Sequence, residues 1–136
     1  MNRKNYHISI KAIIVKDKKV LVSKKNKNGM EIYDFPGGRI DDGETVEDGL
    51  ERELKEELNI KSFTLGPLLN AFEWFHYGKK KIGLMVLCYI VDADISNIRL
   101  SEEHVKFDWV SKENLSIIPN NSINEGTLKT VKKALG

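Results

Sequence analysis

The chain has few of the residues and segments that mark secreted, membrane or disulfide-stabilised proteins. It contains one cysteine, Cys88, in 136 residues, so no disulfide can form within the chain. The longest apolar run, from Gly83 to Val91, is far shorter than the roughly 20 residues that cross a bilayer, and it predicts a buried strand. Near the N-terminus, His7, Ser9 and Lys11 interrupt the continuous apolar segment that a secretory signal needs. These absences predict a cytoplasmic protein without a membrane span.

The chain also has no large excess of positive or negative charge, because 22 basic residues nearly balance 20 acidic ones. A net charge of +2 is too small to indicate a nucleic-acid partner, so none is expected. Lysines cluster at Lys16 to Lys27 and at Lys79 to Lys81. We interpret both clusters as solvated hairpin tips, with a phosphate-attracting rim as the alternative. The length predicts a single domain spanning residues 1–136.

Hydrophobic periodicity predicts an α/β fold with a mixed sheet. The predicted strands are residues 6–15, 20–25, 31–35, 63–77, 81–93 and 104–110. The first two are expected to form a hairpin through the turn KDKK. A central helix is predicted over Val46 to Leu58, because its apolar residues recur every fourth position. A second helix is predicted to open at a Ser122–Glu125 capping box and to run through Leu135.

Local sequence signals mark both ends of the predicted central helix. Thr45 and Asp48 have the spacing of a capping box, and Asn59 is one of the few non-glycine residues that tolerate the left-handed conformation at a helix end. Nine acidic residues lie between Asp41 and Glu57, so this loop and helix are strongly acidic.

Three of these acids form one arc of the helix, beside the apolar stripe. On an ideal helix Glu53, Glu56 and Glu57 fall within about 100° of one another, and Gly49 projects into the same arc. Arg52 is four residues from both Asp48 and Glu56 and can hold a carboxylate in place. Helix geometry alone leaves two interpretations open, a solvated acidic face and a divalent-cation site. Oxygen-only ligands would favour Mg²⁺ or Mn²⁺ over zinc.

The order of the whole stretch resembles the Nudix box, Gly-x5-Glu-x7-Arg-Glu-U-x-Glu-Glu-x-Gly-U, where U is a bulky aliphatic residue. The matching residues are Gly38, Glu44, Arg52, Glu53, Leu54, Glu56, Glu57 and Ile60, and the match spans 23 of 136 residues. Asn59 stands where the family has glycine. This is a mild departure, because asparagine also visits the left-handed region. The resemblance favours the cation site over the solvated face.

The resemblance implies a Nudix-type α/β/α sandwich with a central mixed sheet, in which the box forms a loop, a helix and a loop. It implies Mg²⁺, with Mn²⁺ as the other candidate cation. The ligands would be Glu53, Glu56 and Glu57, with Gly38 contributing through its backbone. The Gly37/Gly38 loop would admit the substrate diphosphate, and Arg52 with Glu44 would brace the site.

The resemblance leaves two candidate positions for the general base, because members of the family differ. Some use a box glutamate equivalent to Glu53, and others use a glutamate on a later loop, where Glu103 fits best and Glu102 second. Substrate contacts are expected from the aromatic cluster of residues 72–77, with Phe75 and Tyr77 as the candidates; core packing and an oligomer contact are the alternatives.

The similarity to the Nudix (MutT-like) hydrolases implies cleavage of a diphosphate linkage in a nucleoside diphosphate derivative. Nucleoside triphosphates, yielding a monophosphate and pyrophosphate, are the first expected substrates, and dinucleoside polyphosphates are the second. A noncatalytic nucleotide sensor is the alternative from another class. The expected partner is a small nucleotide, and a homodimer is left open because many relatives are dimers.

Overall fold

The computed structural model describes residues 5–76, 82–99, 101–102 and 105–136. The strands are β1 (Tyr6–Ile13), β2 (Val15–Lys16), β3 (Lys19–Lys27), β4 (Met30–Asp34), β5 (Gly37–Arg39), β6 (Phe63–His76), β7 (Ile82–Ala93), β8 (Ser101–Glu102) and β9 (Val105–Val110). The helices are α1 (Val46–Leu58) and α2 (Glu125–Leu135). No helix within this described part of the chain combines the length and the apolar character needed to cross a bilayer.

A mixed sheet with the strand order β5-β1-β7-β6 forms one half of the fold. β1 runs parallel to β7, whereas β5 pairs antiparallel with β1 and β6 pairs antiparallel with β7. The short edge strand β5 contains Gly37 and Gly38, which pair with Lys11 and Ile10 of β1. This pairing places two residues without side chains at the edge of the sheet nearest to α1.

The remaining strands form a second sheet around β3, which pairs with β2, β4 and β9. The predicted hairpin is therefore only partly right. The KDKK turn exists, with positive φ at Asp17 and Lys18, but it joins β3 to the two-residue β2. Beyond Ile13 the chain leaves the mixed sheet, and β1 itself pairs with strands that are distant in sequence. Long-range pairing with β7 replaces the local pairing that the sequence suggested.

Two hydrophobic clusters hold these layers together, and β1 contributes to both. Its residues Ile10 and Ala12 pack on one face with Leu50, Leu54 and Leu58 of α1. The opposite face carries Ile13 in a cluster between the two sheets, which α2 closes with two residues, Leu128 and Val131. The predicted α/β fold, with a mixed sheet flanked by helices, is confirmed.

The second helix begins later than the sequence suggested. Residues Ser122–Asn124 form a 3-10 turn, and the side chain of Asn121 accepts a hydrogen bond from the Asn124 N–H at 3.2 Å. Asn124 is fully buried and binds the main chain of β4: its Oδ1 accepts from the Tyr33 N–H at 2.8 Å, and its Nδ2 donates to the Glu31 carbonyl at 3.0 Å. This long-range contact fixes the turn, so the predicted Ser122–Glu125 capping box does not form.

Candidate active site

The helix α1 positions the acidic residues of the site, and its boundaries agree with the prediction. The Thr45 hydroxyl accepts from the Asp48 N–H at 3.1 Å, and the Asp48 carboxylate accepts from the Thr45 N–H at 3.4 Å. At the other end Asn59 adopts the left-handed conformation with φ of 59°. Because the leucine stripe is buried against β1, the rotation of the helix about its axis is fixed.

Glu53 and Glu57 reach the glycine edge of the mixed sheet. The Gly37 N–H donates to Glu57 Oε1 at 3.2 Å. A Cβ atom built on Gly38 would lie 2.5 Å from Glu53 Oε1 and 2.8 Å from its Cδ. The Glu53 carboxylate therefore occupies the space that a side chain at Gly38 would need. The contact explains why position 38 requires a glycine.

Arg52 braces two carboxylates with one guanidinium group. Its Nε and Nη2 donate to Glu44 Oε2 and Oε1, both at 2.9 Å, and its Nη1 donates to Glu53 Oε1 at 2.9 Å. Nη2 also donates to the Arg39 carbonyl at 3.1 Å. The bidentate pair with Arg52 and a hydrogen bond from the Asp41 N–H lower the pKa of Glu44 to about 2. The brace is therefore charged at all ordinary pH values.

The carboxyl groups of Glu53 and Glu57 are close enough to share a hydrogen bond. Burial, followed by this hydrogen bond, raises the pKa of Glu57 from an ordinary 4.5 to about 8, although Lys11 and the Gly37 N–H act in the opposite direction. Two carboxylates held together in a partly buried place repel each other, and a cation between them relieves that repulsion. The pair thus has the electrostatics of a site prepared for positive charge.

Lys11 belongs to the same site, although the sequence reasoning treated it only as an interruption of an apolar segment. Its Nζ lies 2.9 Å from Asp34 Oδ2, and only 11% of its side chain is exposed. Burial lowers the pKa of Lys11, but the carboxylates of Asp34, Glu57 and Glu53 outweigh this effect and the net direction is upward. A lysine among the apolar residues of a buried strand was the available signal, since such a lysine needs a partner.

Glu56 is not brought together with the other two acids. Its side chain is 63% exposed, and its Oε2 lies 3.9 Å from Arg52 Nη1. Within the described residues, no three histidine, cysteine or acidic side chains converge as they would around a metal ion. Glu56 nevertheless lies one helical turn after Glu53 on an exposed surface, so no packing prevents its carboxylate from turning toward the pair.

The acidic pair offers oxygen atoms as ligands for a cation. Carboxylate oxygens of Glu53 and Glu57 meet a backbone without side chains at Gly37 and Gly38. Hard oxygen donors beside open backbone fit Mg²⁺ or Mn²⁺ better than zinc, which prefers sulfur and imidazole ligands. The described residues of the site therefore fit a divalent cation of this kind.

A cavity of about 610 Å³ opens beside this site between the two sheets. Gly37, Gly38 and Lys11 form its boundary with the acidic site, while Phe72 and Trp74 of β6 contribute aromatic surface. Phe72 and Trp74 belong to the predicted aromatic cluster of residues 72–77, although they are not the two members that were singled out.

Several predicted site residues lie outside what the structure describes. Glu103 and Tyr77 are not among the described residues. The side chains of Glu102 and Phe75 also lie outside the description, although their backbone belongs to β8 and β6. Their assigned roles stay predictions.

The fold combines a mixed sheet and flanking helices with an acidic helix that lies against a glycine edge. A family model described as NUDIX domain matches residues 5–131. The chain therefore belongs to the NUDIX domain family. The crystal structure of the MutT protein from Methanosarcina mazei Go1 superposes with a TM-score of 0.74 at 21% identity, covering 98% of this chain and 95% of that one, which supports the fold.

Two curated relatives illustrate the range of the family. The chain is 35% identical over 119 residues to the mRNA-decapping protein D10 of Fowlpox virus (strain NVSL), covering 87% of this chain and 47% of that protein. It is 26% identical over 125 residues to the 8-oxo-dGTP diphosphatase of Buchnera aphidicola subsp. Schizaphis graminum (strain Sg), covering 90% of this chain and 91% of that protein. The chain thus spans about half of the viral relative and nearly all of the bacterial one.

Proposed function

We propose that the chain is a Mg²⁺-dependent hydrolase of a diphosphate linkage in nucleotides. Its first substrate class would be nucleoside triphosphates, cleaved to a nucleoside monophosphate and pyrophosphate. The observation that carries this proposal is the convergence of Glu53 and Glu57 on the Gly37–Gly38 backbone at the mouth of the cavity. A solvated acidic face would not place carboxylates against the backbone of another element.

The proposed ligands of the cation are Glu53, Glu56 and Glu57, with a backbone contribution from Gly38. The chemistry that a divalent cation supplies when bound is neutralisation of the diphosphate oxygens and a lowered pKa of the attacking water. Gly37 and Gly38 leave room for the diphosphate, because neither carries a side chain. Arg52 and Glu44 hold the Glu53 carboxylate in position through the bonds described above.

Hydrolysis adds water to one phosphorus, breaks a P–O bond of the anhydride and passes a proton from the water to a base. Glu53 is one candidate for the base. Glu103, with Glu102 second, is the other candidate, on the segment that precedes β9. The variants Glu53→Gln and Glu103→Gln distinguish them: loss of the base removes the rising limb of the pH profile, whereas loss of a cation ligand alone raises the Mg²⁺ concentration that activity requires and keeps that limb.

Two observations support nucleoside triphosphates as the first substrate class. The cavity volume lies within the roughly 300 to 1,000 Å³ that is usual for small-ligand sites, and Phe72 and Trp74 offer surfaces on which a base can stack. The Buchnera relative, which matches over nearly its whole length, is named as an 8-oxo-dGTP diphosphatase. Dinucleoside polyphosphates are the second class, on the sequence position of Tyr77 and with Phe75 as a further candidate contact.

The test is a panel of nucleoside triphosphates, dinucleoside polyphosphates, sugar nucleotides and 5′-triphosphorylated RNA, with Mg²⁺, Mn²⁺ or chelator and detection of phosphate products. RNA is included because the viral relative is named an mRNA-decapping protein. Glu57→Gln should lose activity, whereas Glu51→Gln, an exposed change on the same helix, should retain it. Equal turnover by wild type and Glu57→Gln would remove the catalytic assignment. Nucleotide binding without turnover would instead support the sensor alternative.

A further inference from the structure

Lys11 stands at the junction between the acidic pair and the cavity. It lines the cavity from β1, directly opposite Gly37 in the strand register. Gly37 in turn donates its N–H to Glu57. A group that lies beside the acidic pair and extends into the cavity would therefore come close to Lys11.

The surroundings of Lys11 leave donor capacity unused. An ammonium group has three N–H donors, and within the described part of the chain Asp34 is the partner that its Nζ meets. Asp34 is more exposed than Lys11, at 38% against 11% of the side chain. Both residues line the cavity, so an occupant can reach the ammonium beside its carboxylate partner.

The charges around the cavity suit an anionic occupant. Four cationic side chains and one carboxylate are among its lining residues: Lys11, Lys25, Lys27, Arg39 and Asp34. Of the lysines, Lys25 and Lys27 are exposed at the rim, whereas Lys11 is buried next to the site of reaction. A hydrogen bond from a buried ammonium to phosphate is stronger than one from a solvated lysine, because less of its strength is lost to water.

We propose that Lys11 binds the substrate directly, by donating to a phosphate oxygen of the diphosphate that lies beside Glu53 and Glu57. Asp34 orients the ammonium for that contact. This inference rests on the proposed function for the identity of the substrate, and it assigns a phosphate-recognition role to a residue outside the Nudix box. The binding readout below needs no turnover, so it separates a failure of this inference from a failure of the proposed function.

The experiment measures binding of pyrophosphate and of a non-hydrolysable α,β-methylene nucleoside triphosphate by calorimetry in Mg²⁺, alongside KM and kcat. Lys11→Met should weaken binding of both by about 10- to 100-fold, the range expected for a hydrogen bond to a charged group. The matched control is Lys19→Met, which removes the same charge from an exposed position that does not line the cavity and should change binding by less than about threefold.

Asp34→Asn separates recognition from a purely structural ion pair. If Lys11 binds phosphate, Asp34→Asn keeps the cation and leaves an amide oxygen that can still accept from it, so binding should weaken far less than in Lys11→Met. If the pair only supports the fold, Lys11→Met and Asp34→Asn should cause equal losses, which would overturn the inference. The double variant Lys11→Met/Asp34→Asn leaves no unpaired charge and guards against misfolding of the single variant. Wild-type affinity for pyrophosphate in this double variant would also overturn it.

Discussion

Replacing Gly38 by alanine should remove activity while leaving the protein folded. The added methyl group would lie 2.5 Å from Glu53 Oε1 and 2.8 Å from Glu53 Cδ, whereas ordinary contacts begin at 3.4 Å. The carboxylate must therefore recede by about 1 Å. The side chain of Glu53 is flexible and the φ of Gly38 is outside the left-handed region, so the backbone itself can accept alanine.

The displacement falls on a group that the site holds in place. Glu53 Oε1 accepts from Arg52 Nη1 at 2.9 Å, so a shift of this size breaks or bends that hydrogen bond. A misplacement of about 1 Å in a catalytic arrangement can cost about 100-fold in rate. We therefore expect a loss of about two orders of magnitude in kcat/KM for Gly38→Ala.

The assay compares Gly38→Ala with Gly37→Ala, a methyl group added one position earlier. At Gly37 the new Cβ would overlap the Ile10 carbonyl oxygen and lie 2.9 Å from the Lys11 Cα, and the φ of 136° is unsuitable for alanine. Gly37→Ala should lower the melting temperature steeply, whereas Gly38→Ala should shift it by only a few degrees. If Mg²⁺ raises the melting temperature of the wild type, as the proposed site predicts, Gly38→Ala should reduce that rise.

Wild-type kcat/KM in a folded Gly38→Ala protein would refute the reasoning, because it would show that the space beside Gly38 is not needed for Glu53. Unfolding of both variants to the same extent would refute it as well. In that case Gly37 and Gly38 would be needed only for the conformation and pairing of the backbone.

Three further predictions concern the brace, the acidic pair and the end of the helix. Arg52→Lys cannot maintain the bidentate pair with Glu44, so kcat should fall by about 10- to 100-fold with little change in melting temperature. When a chelator removes divalent cations, folding favours the protonated form of Glu57, because the pKa of this carboxyl is raised from 4.5 to about 8. The contribution of Glu57 to the free energy of unfolding is therefore complete below pH 4.5 and is lost as the pH rises through 8. The melting temperature of wild type relative to Glu57→Gln should fall over this window, and a difference independent of pH would contradict the assignment. Asn59→Gly should leave activity unchanged, because both residues adopt the left-handed conformation. The free energy of unfolding, measured by urea denaturation, should change by no more than about 1 kcal/mol. A loss of turnover would show that this departure from the Nudix box matters.

The central helix could be predicted from sequence because its determinants are local. The capping box at Thr45, the four-residue spacing of the leucines and the left-handed Asn59 all act within a few residues of one another, and each is present in the structure. The arc of Glu53 and Glu57 follows from the same geometry. The same helix geometry predicts Glu56 on this arc. The direction of its side chain depends instead on its exposure and on Arg52.

The second helix shows where local signals fail. Ser122 and Glu125 have the spacing of a capping box, yet the buried Asn124 between them is held by the main chain of β4. Those bonds join residues about 90 positions apart, and no pattern within the helix could reveal them. The pairing of β1 with β7 is of the same kind and removes most of β1 from the predicted hairpin.

The sequence by itself determined the kind of chemistry, because the spacing of glycine, glutamate and arginine residues sets which groups one helix and one loop can present. Only the tertiary structure decided what those groups face. Strand pairing across long separations brings Lys11 and Asp34 to the acidic pair and sets the glycine edge against Glu53. The physical reason is that helix signals act over a few residues, whereas strand partners and buried ion pairs are chosen by packing of the whole chain.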